Sequence, residues 1–489
     1  MGSVPADQAI WQEDRARLIV QTVVGIIAPR LEALIGPDLW SMDARDMELW
    51  VRDLLRQAGA AIATELLHVA AEHHMFQVRP TCATCGHPLH LAERAAPRTL
   101  VGLTGDTITY ERAVFRCPHG HERIAPVDAI LGIGPGHLLP ALLEAACVAG
   151  ITDPFRDGVR LLEAMLGAKV PRSTLAPSVE AIGHVAEAEV LATVANEAAH
   201  EHPPAPSDVL PPPGDGGASD TTFVLVEMDG ARIHVDGAWR EDKLGMIAPL
   251  RWARGKEDDT VKLRPDTQTY VASLEEADPF YERVKAMTCL SLPPPPAQAE
   301  VITVNDGAPW IWNRVDLLRP LASAVHEVAD FWHACEHLEK VAEMVYPSND
   351  ARRREWFAAA RHGLRTRGPD DALERLRALP VRGKKQRHLR DTTIQYFVDR
   401  ADRMHYPEYE ARGWPIGSGV IESTCEHVAG TRLKNPGMRW SYGGAQAMLS
   451  LRALYRSGQD LWAAFWQGKP QLRKPRLRDV TYRKYAKAA

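Results

Sequence analysis

The residues best suited to do chemistry are carboxylates delivered by apolar runs. Phe223–Gly230, FVLVEMDG, is an apolar run that ends in Asp229, and Glu300–Gly307, EVITVNDG, leads into Asp306 in the same way. A third acid, Glu422, follows the glycine- and serine-containing IGSGVIES and is expected near a helix start; Glu426, one turn later, is its rival. Two carboxylates held close together repel unless a cation bridges them, and magnesium, a hard ion satisfied by oxygen ligands, suits such a set. A pair of such ions clamps an in-line phosphoryl displacement, one activating water or a 3′-hydroxyl and the other stabilising the leaving oxygen. An aspartate before glycine also merely starts turns. Recurrence after two strands is what favours catalysis here.

A second constellation is built from soft ligands. Cys82-Ala-Thr-Cys85-Gly86-His87 has the form of a zinc knuckle, in which a tight turn aims two thiolates at one tetrahedral ion. The matching half, Cys117-Pro-His119-Gly120-His121, has Gly120 in the place of a fourth cysteine, so His119 or His121 must supply the last ligand. Between the halves, LVGLTGDTITYERAVFRC alternates as two strands joined near Thr104–Asp106. The layout is that of a zinc ribbon with structural Cys3His ligation. No nearby glutamate on a helix offers a base for catalysis by this ion. Reduced cysteines in a metal-free hairpin are the plainer alternative.

These groups need elements to hold them. From Asp7 to about Phe76 the apolar residues recur at helical spacing, giving two or three helices interrupted at Gly36–Pro37. Leu138–Val148 and Phe155–Leu166 read as helices, and a short turn then leads through Pro171 into a long helix reaching about Val194. This is a helix-turn-helix outline, with Arg172, Ser173 and Thr174 at the N-terminal end of the recognition helix, although any pair of packed helices shares it. Residues 200–220, HEHPPAPSDVLPPPGDGGASD, cannot bury a core and read as a linker. After it, TFVLVEMDG, ARIHVDG and LGMIAPLRW are three strand candidates; a helix near Pro279–Met287, the strand EVITVND and a helical stretch from about Leu321 to Val345 follow. Antiparallel strands followed by alternating helix and strand fit a ribonuclease-H-like α/β fold, which places Asp229 and Asp306 side by side.

Residues Arg352–Arg412 are helical and strongly basic, with ARRREW, RHGLRTR and RGKKQRHLR suited to holding phosphates. Trp356 and Tyr396 there can stack or pack. Downstream, Arg432 and Lys434 are expected to contact DNA, and Trp440 to stack on an unpaired base or anchor the core. Lys469–Lys487 carries eight basic residues and one acidic, so it is expected to lie on DNA or stay disordered. The overall charge of −5 excludes a uniformly basic DNA-binding protein but not a local basic surface. The sequence opens on no signal-peptide pattern, and none of its apolar runs approaches bilayer length. Its seven cysteines lack disulfide-rich spacing, which makes a reducing cytoplasm, with nucleoid association, the expected compartment.

VEMDG, VNDGAPWIW, EVADFWHACEHL and GWPIGSGVIESTCEHVAGTRLKNPGMRW resemble the blocks of DDE insertion-sequence transposases of the ISKra group, and more distantly Mutator-like enzymes. The resemblance covers roughly residues 80–135 and 220–460. It implies that Asp229, Asp306 and Glu422 form the catalytic set, binding two magnesium ions (manganese as a substitute). Asp330 and His333 match the D-x-x-H element that follows the second aspartate. His333 and His337 share a helix face, which suits a metal pair, packing or a DNA contact. The departure from the family pattern is Gly120, which puts the structural zinc in doubt. The expected organisation is a helical region (1–78), a zinc-ribbon-like segment (79–135), a helix-turn-helix region (136–199), a linker (200–220), a ribonuclease-H-like catalytic domain (221–466, with a helical insertion at about 349–412) and a basic tail (467–489). Double-stranded DNA is the expected partner, and joining two element ends requires at least a homodimer.

Overall fold

The computed structural model describes residues 6–74, 80–198, 222–254, 260–293, 299–348 and 350–468. The expected linker at 200–220 and the basic segment Lys469–Lys487 lie outside the described residues. The chain is mixed α/β and divides into two compact units, Met1–Val185 with Phe465–Ala489, and Ala186–Ala464. Among the described residues no helix is long and apolar enough to cross a membrane.

In the first unit, helices α1 (Ala6–Leu34) and α2 (Ala44–His74) precede a small antiparallel sheet of β1 (His90–Val101), β2 (Thr107–Arg116) and β3 (Arg123–Ile124), in that order. The interruption between α1 and α2 falls where Gly36–Pro37 breaks the helical pattern, and the β1–β2 turn falls at 102–106 as the alternation predicts. Leu100, Tyr110, Val127 and Ile133 form a core with Ala71 of α2. Asp128 accepts from the Tyr110 hydroxyl at 2.5 Å and from the guanidinium groups of Arg98 and Arg112, so its charge is paired where it is nearly enclosed. Then come α3 (Pro140–Thr152), α4 (Phe155–Leu166) and α5 (Arg172–Ala198), the last of which runs on past Val185 into the second unit. Gly167 ends α4 at φ 70°, a left-handed conformation that glycine adopts without strain, and buried Ala168 and Val170 tuck the turn inward. Arg172 and Ser173 are exposed and Thr174 is half-buried at the start of α5, where the helix-turn-helix outline expects them.

The second unit holds a mixed sheet of six strands among the described residues. They are β4 (Thr222–Val235), β5 (Ala238–Arg254), β6 (Val261–Pro265), β7 (Thr269–Ser273), β8 (Ala299–Asn305) and β9 (Ala324–Ala329). The spatial order is β6-β5-β4-β8-β9, with β7 also on β5; β4, β5, β6 and β7 pair antiparallel, while β4–β8 and β8–β9 are parallel.

Two expectations need correction. TFVLVEMDG and ARIHV are one strand, not two, so Asp229 lies within β4 rather than at its end. The reason is the second Asp-Gly: Asp236 and Gly237 adopt φ 50° and 82°, the two-residue hairpin turn, and β5 then pairs with β4 from Val235 back to Phe223. The stretch from Leu321 is not continuous helix either. Ala324–Ala329, AVHEVA, is strand β9, because a parallel partner, β8, offers its backbone a complete ladder.

Helix α6 (Ala277–Ser291) covers one face of the sheet, burying Phe280, Tyr281 and Val284 against Val224, Val226, Met228 and Ile247. Each such side chain contributes about 1.5–3 kcal/mol by leaving water. Helix α7 (Phe331–Val345) follows β9, and the basic segment forms α8 (Asp350–Arg367), α9 (Pro369–Ala378) and α10 (Gly383–Val398). Helices α11 (Gly419–Cys425) and α12 (Tyr442–Arg456) lie further along the unit.

Candidate functional site

Alternation along β4 puts Glu227 and Asp229 on the face opposite α6, and Asp242, paired with Ala231 on β5, shares that face. The parallel ladder joins β4 to β8 from Thr222↔Ala299 to Val226↔Thr303, and Asp306 follows the last residue of β8. Where the ladder ends, the Asn305 side chain continues it by accepting from the Met228 amide at 2.6 Å. Asp306 is held by its own turn: Oδ1 accepts from Ala308 N at 2.9 Å, and its carbonyl accepts from Trp312 Nε1 at 2.6 Å. Asp229 and Asp306 are thus electrostatic neighbours on adjacent strands.

Glu422 arrives from α11, which packs on the same face. The Ile421 amide donates to Glu227 Oε2 at 3.0 Å, so a buried carboxyl under the sheet seats the first turn of this helix. Ser418, just before α11, donates to Asp330 through both its amide and its hydroxyl, and its hydroxyl also lies 3.4 Å from Glu422 Oε1. Past Cys425 the helix widens into a π turn, Glu426–Gly430. Arg452 of α12 donates to the carbonyls of His427 and Val428 in that turn. The Glu426 carboxylate folds over Gly430, where an added Cβ would come within 2.2 Å of it. Glu422 is an electrostatic neighbour of Asp229.

Burial and mutual repulsion lift these acids together. Glu227 is raised well above the carboxylate range by burial and by Asp330 and Glu422, against the pull of the Ile421 amide. Burial raises Asp229, with Asp306 adding to it, and burial, Asp330 and Asp229 raise Glu422. Asp242 is fully buried, neither of its oxygens has a hydrogen-bond partner, and burial pushes it up to about 6. The Cys425 thiol donates to Asp229 Oδ2 at 3.3 Å. Sequence reasoning passed over Glu227 and Asp242, and read Cys425 as an isolated core or surface thiol. Only Glu227 left a signal there, as an acid two residues before Asp229 inside an apolar run.

Among the described residues, the sets of three or more Cys, His, Asp or Glu side chains whose ligand atoms lie within 4.8 Å of one another are both cysteine–histidine sets. Asp229 is an electrostatic neighbour of both Asp306 and Glu422, although the three do not close to that spacing. Their hard oxygen donors fit a divalent ion, whose charge would offset the crowding that raises Asp229 and Glu422.

His333 lies half-exposed on α7, edge-on to His337 with ring centroids 5.0 Å apart. His337 stacks on Tyr396 of α10 at 4.0 Å, and Arg400 lies over the Tyr396 ring and donates to the Gly307 carbonyl at 2.7 Å. The helical insertion therefore grips the turn that carries Asp306. Burial and the neighbouring His333, Lys340 and Arg400 hold His337 down to about 4, so its ring is neutral near pH 7. Further along, Arg432 is 1% exposed and lies over the ring of Trp440, itself buried with Nε1 on the Leu433 carbonyl at 3.3 Å. Both side chains are spent on packing. Exposed Lys434 is the member of that trio able to reach a phosphate.

The cysteine–histidine sets lie in the first unit. In its two loops the amide of Cys82 bonds to the His87 carbonyl, and that of Cys117 to the Glu122 carbonyl, so the loop ends correspond and Gly120 falls opposite Cys85, while the left-handed glycines, Gly86 bonding to Cys82 and Gly120 to Cys117, stand one place apart. His121, one residue on, makes good the loss. Its Nδ1 lies 3.7 Å from Cys82 Sγ and 3.8 Å from Cys117 Sγ, while Cys85 Sγ lies 3.7 Å from Cys117 Sγ. These separations match the edges of a tetrahedron around zinc, about 3.3–3.8 Å for bonds near 2.3 Å to sulfur and 2.0–2.1 Å to nitrogen. Cys82, Cys85, Cys117 and His121 can hold that ion, and His119 belongs to the other set. Burial tends to raise Cys117, but the His121 and His119 amides and the adjacent thiols outweigh it and bring it below the usual thiol value.

In comparisons with known proteins, no family model matches the chain, and no curated protein matches it in sequence.

Proposed function

We propose that the chain is a DDE transposase of the kind its motifs resemble, cutting and joining DNA at the ends of an insertion sequence. The observation that supports this best is the meeting of three carboxylates from distant parts of the chain on one face of one sheet. Asp229 comes from the first strand, Asp306 from the turn after the parallel strand beside it, and Glu422 from a helix seated on Glu227. The strand order, with the unit's first strand central, antiparallel β5 on one side carrying β6 and β7 beyond it, and parallel β8 and β9 on the other, is the arrangement expected of a ribonuclease-H-like catalytic domain.

In this reading Asp229, Asp306 and Glu422 hold magnesium, which supplies Lewis-acid activation of the attacking oxygen and charge stabilisation of the leaving one. The protein's own residues do the positioning. Asn305 clasps the two strands, Asp330 and Ser418 set the start of α11, and Arg400 fixes the Asp306 turn. The basic insertion and Lys434 offer charge for the DNA backbone, and Arg172, Ser173 and Thr174 offer a helix start for recognising element ends. Zinc held by Cys82, Cys85, Cys117 and His121 is structural, and pairing of two ends calls for a homodimer or larger assembly.

The test is magnesium-dependent cleavage of labelled duplexes from the DNA flanking the gene, with the intact chain and with Asp229→Ala. The reading expects 3′-hydroxyl products that are joined to added target DNA and are absent with the variant. Cleavage without joining would assign a ribonuclease-H-like nuclease. Binding without cutting, unchanged by the substitution, would assign a DNA-binding protein derived from a transposase.

A further inference from the structure

The cysteine–histidine cluster contains more donors than one tetrahedral ion can use. Cys82, Cys85, Cys117 and His121 complete four positions, yet Cys85, His87 and His119 form a second set with all ligand atoms within 4.8 Å of one another. Cys85 belongs to both. Its sulfur lies 3.7 Å from Cys117 Sγ on the inner side and 3.5 Å from His119 Nδ1 on the outer side. Each separation is the length of a tetrahedral edge around zinc.

The outer histidines are arranged as ligands rather than as solvated side chains. His87 Nδ1 lies 3.1 Å from the Cys85 carbonyl, a contact that puts the proton on Nδ1 and leaves Nε2 as the donor atom. Metal-binding histidines are commonly fixed by such a bond from the nitrogen that does not bind metal. The His87 and His119 rings meet edge-on with centroids 4.6 Å apart. Charge points the same way. Three thiolates around one divalent ion leave the inner site with a net negative charge, and a thiolate in that state retains lone pairs for a second cation. Two neutral imidazoles and a shared thiolate suit a borderline-soft divalent ion of the zinc class rather than magnesium or calcium. The inner thiols of Cys82 and Cys117 are buried, whereas His87 and His119 are exposed and Cys85 lies between.

We propose that Cys85, His87 and His119 form a second, outer site for a zinc-class ion, sharing the Cys85 thiolate with the inner site and keeping one coordination position open to water. The proposal rests on the inner site being a zinc site, and it is independent of the transposase reading. A site with three protein ligands at the rim exchanges its ion more readily than the closed inner one. The cluster is thus a stable structural centre with a labile ion attached.

The experiment is a stepwise titration of the metal-free full chain with Co²⁺ and with Zn²⁺, the bound ions counted at equilibrium by dialysis and elemental analysis, on the wild-type cysteine–histidine cluster and on His87→Ala/His119→Ala, both carrying Asp229→Ala to silence the carboxylate set. The proposal expects two ions per chain with the wild-type cluster and one with the histidine variant. The second Co²⁺ equivalent should also shift the thiolate charge-transfer band established by the first, because Cys85 then serves both ions. One ion per chain in both proteins would overturn the outer site and leave the inner one standing. Two ions in both would place the second elsewhere and overturn the assignment, and a second equivalent that leaves the thiolate band unmoved would overturn the sharing. A wild-type cluster that binds no ion would remove the inner site and the proposal with it.

Discussion

Ser418 donates to Asp330 twice, through its hydroxyl at 2.5 Å and through its backbone amide. The other Asp330 oxygen accepts from the His333 amide at 2.6 Å and caps α7. A fully buried carboxylate with both oxygens occupied is a positioning group: it locks the end of β9 to the start of the helix that carries Glu422.

Asp330→Ala should therefore act on stability. It leaves three buried or half-buried donors without their acceptor, and roughly 3 kcal/mol or more of unfolding free energy should be lost, read from urea denaturation. Asp229→Ala should do the reverse. Removing one of several crowded carboxylates should leave metal-free stability unchanged or raised while abolishing magnesium-dependent cleavage.

Asp242 supplies a pH dependence whose sign is fixed. Its folded value, about 6, lies above the ordinary 3.8, so the fold favours the protonated form. The stabilisation is complete below about pH 4 and is lost as pH rises through 6. Between pH 4 and 7 the metal-free chain should lose on the order of 2–3 kcal/mol through this group. Asp242→Asn should remove that slope and be the more stable protein at pH 7 in paired denaturation curves.

His337 has the opposite sign. Its folded value, about 4, lies below 6.5, so its contribution is present above pH 6.5 and is lost as pH falls through 4. Proton–carbon NMR of the ring should show a neutral imidazole at pH 5. A midpoint near 6.5 would mean that the ring is not held buried beside these cations in solution.

The neighbours Arg432 and Lys434 should separate cleanly. Arg432→Ala loses a buried cation–π contact with Trp440 and should cost about 2 kcal/mol or more of stability. Lys434→Ala should leave stability unchanged, weaken DNA binding across sequences and reduce the salt slope by about 1.

Chelation tests the cysteine–histidine centre. Removing zinc should melt the segment from Cys82 to Ile124, visible as new amide exchange there, while the sheet carrying Asp229 keeps its protection.

Much of this molecule is legible before folding. VEMDG and VNDG announce strands and acids because apolar, β-branched runs suit a buried sheet and the aspartates interrupt them. The cysteine spacing and the helical stretches are equally local signals. Which Asp-Gly turns the chain is not local. Asp236–Gly237 does and Asp229–Gly230 does not, because β5 pairs along both halves of β4. Strand β9 is hidden because its short AVHEVA runs straight into α7, and only the edge of β8 selects the extended form.

The same division holds for the sites. Sequence by itself determined the donors: three carboxylates, three ribbon cysteines, a choice of histidines and a surplus of basic side chains. Tertiary structure decided their partners. The approach of the two loops puts His121 beside Cys82 and leaves His119 beside Cys85. Packing turns Arg432 inward onto Trp440, and the seating of α11 on Glu227 makes Glu422 a neighbour of Asp229. The physical reason is distance. Ligation, ion pairing and repulsion act over a few ångströms between residues far apart in the chain, and only the packed fold sets those separations.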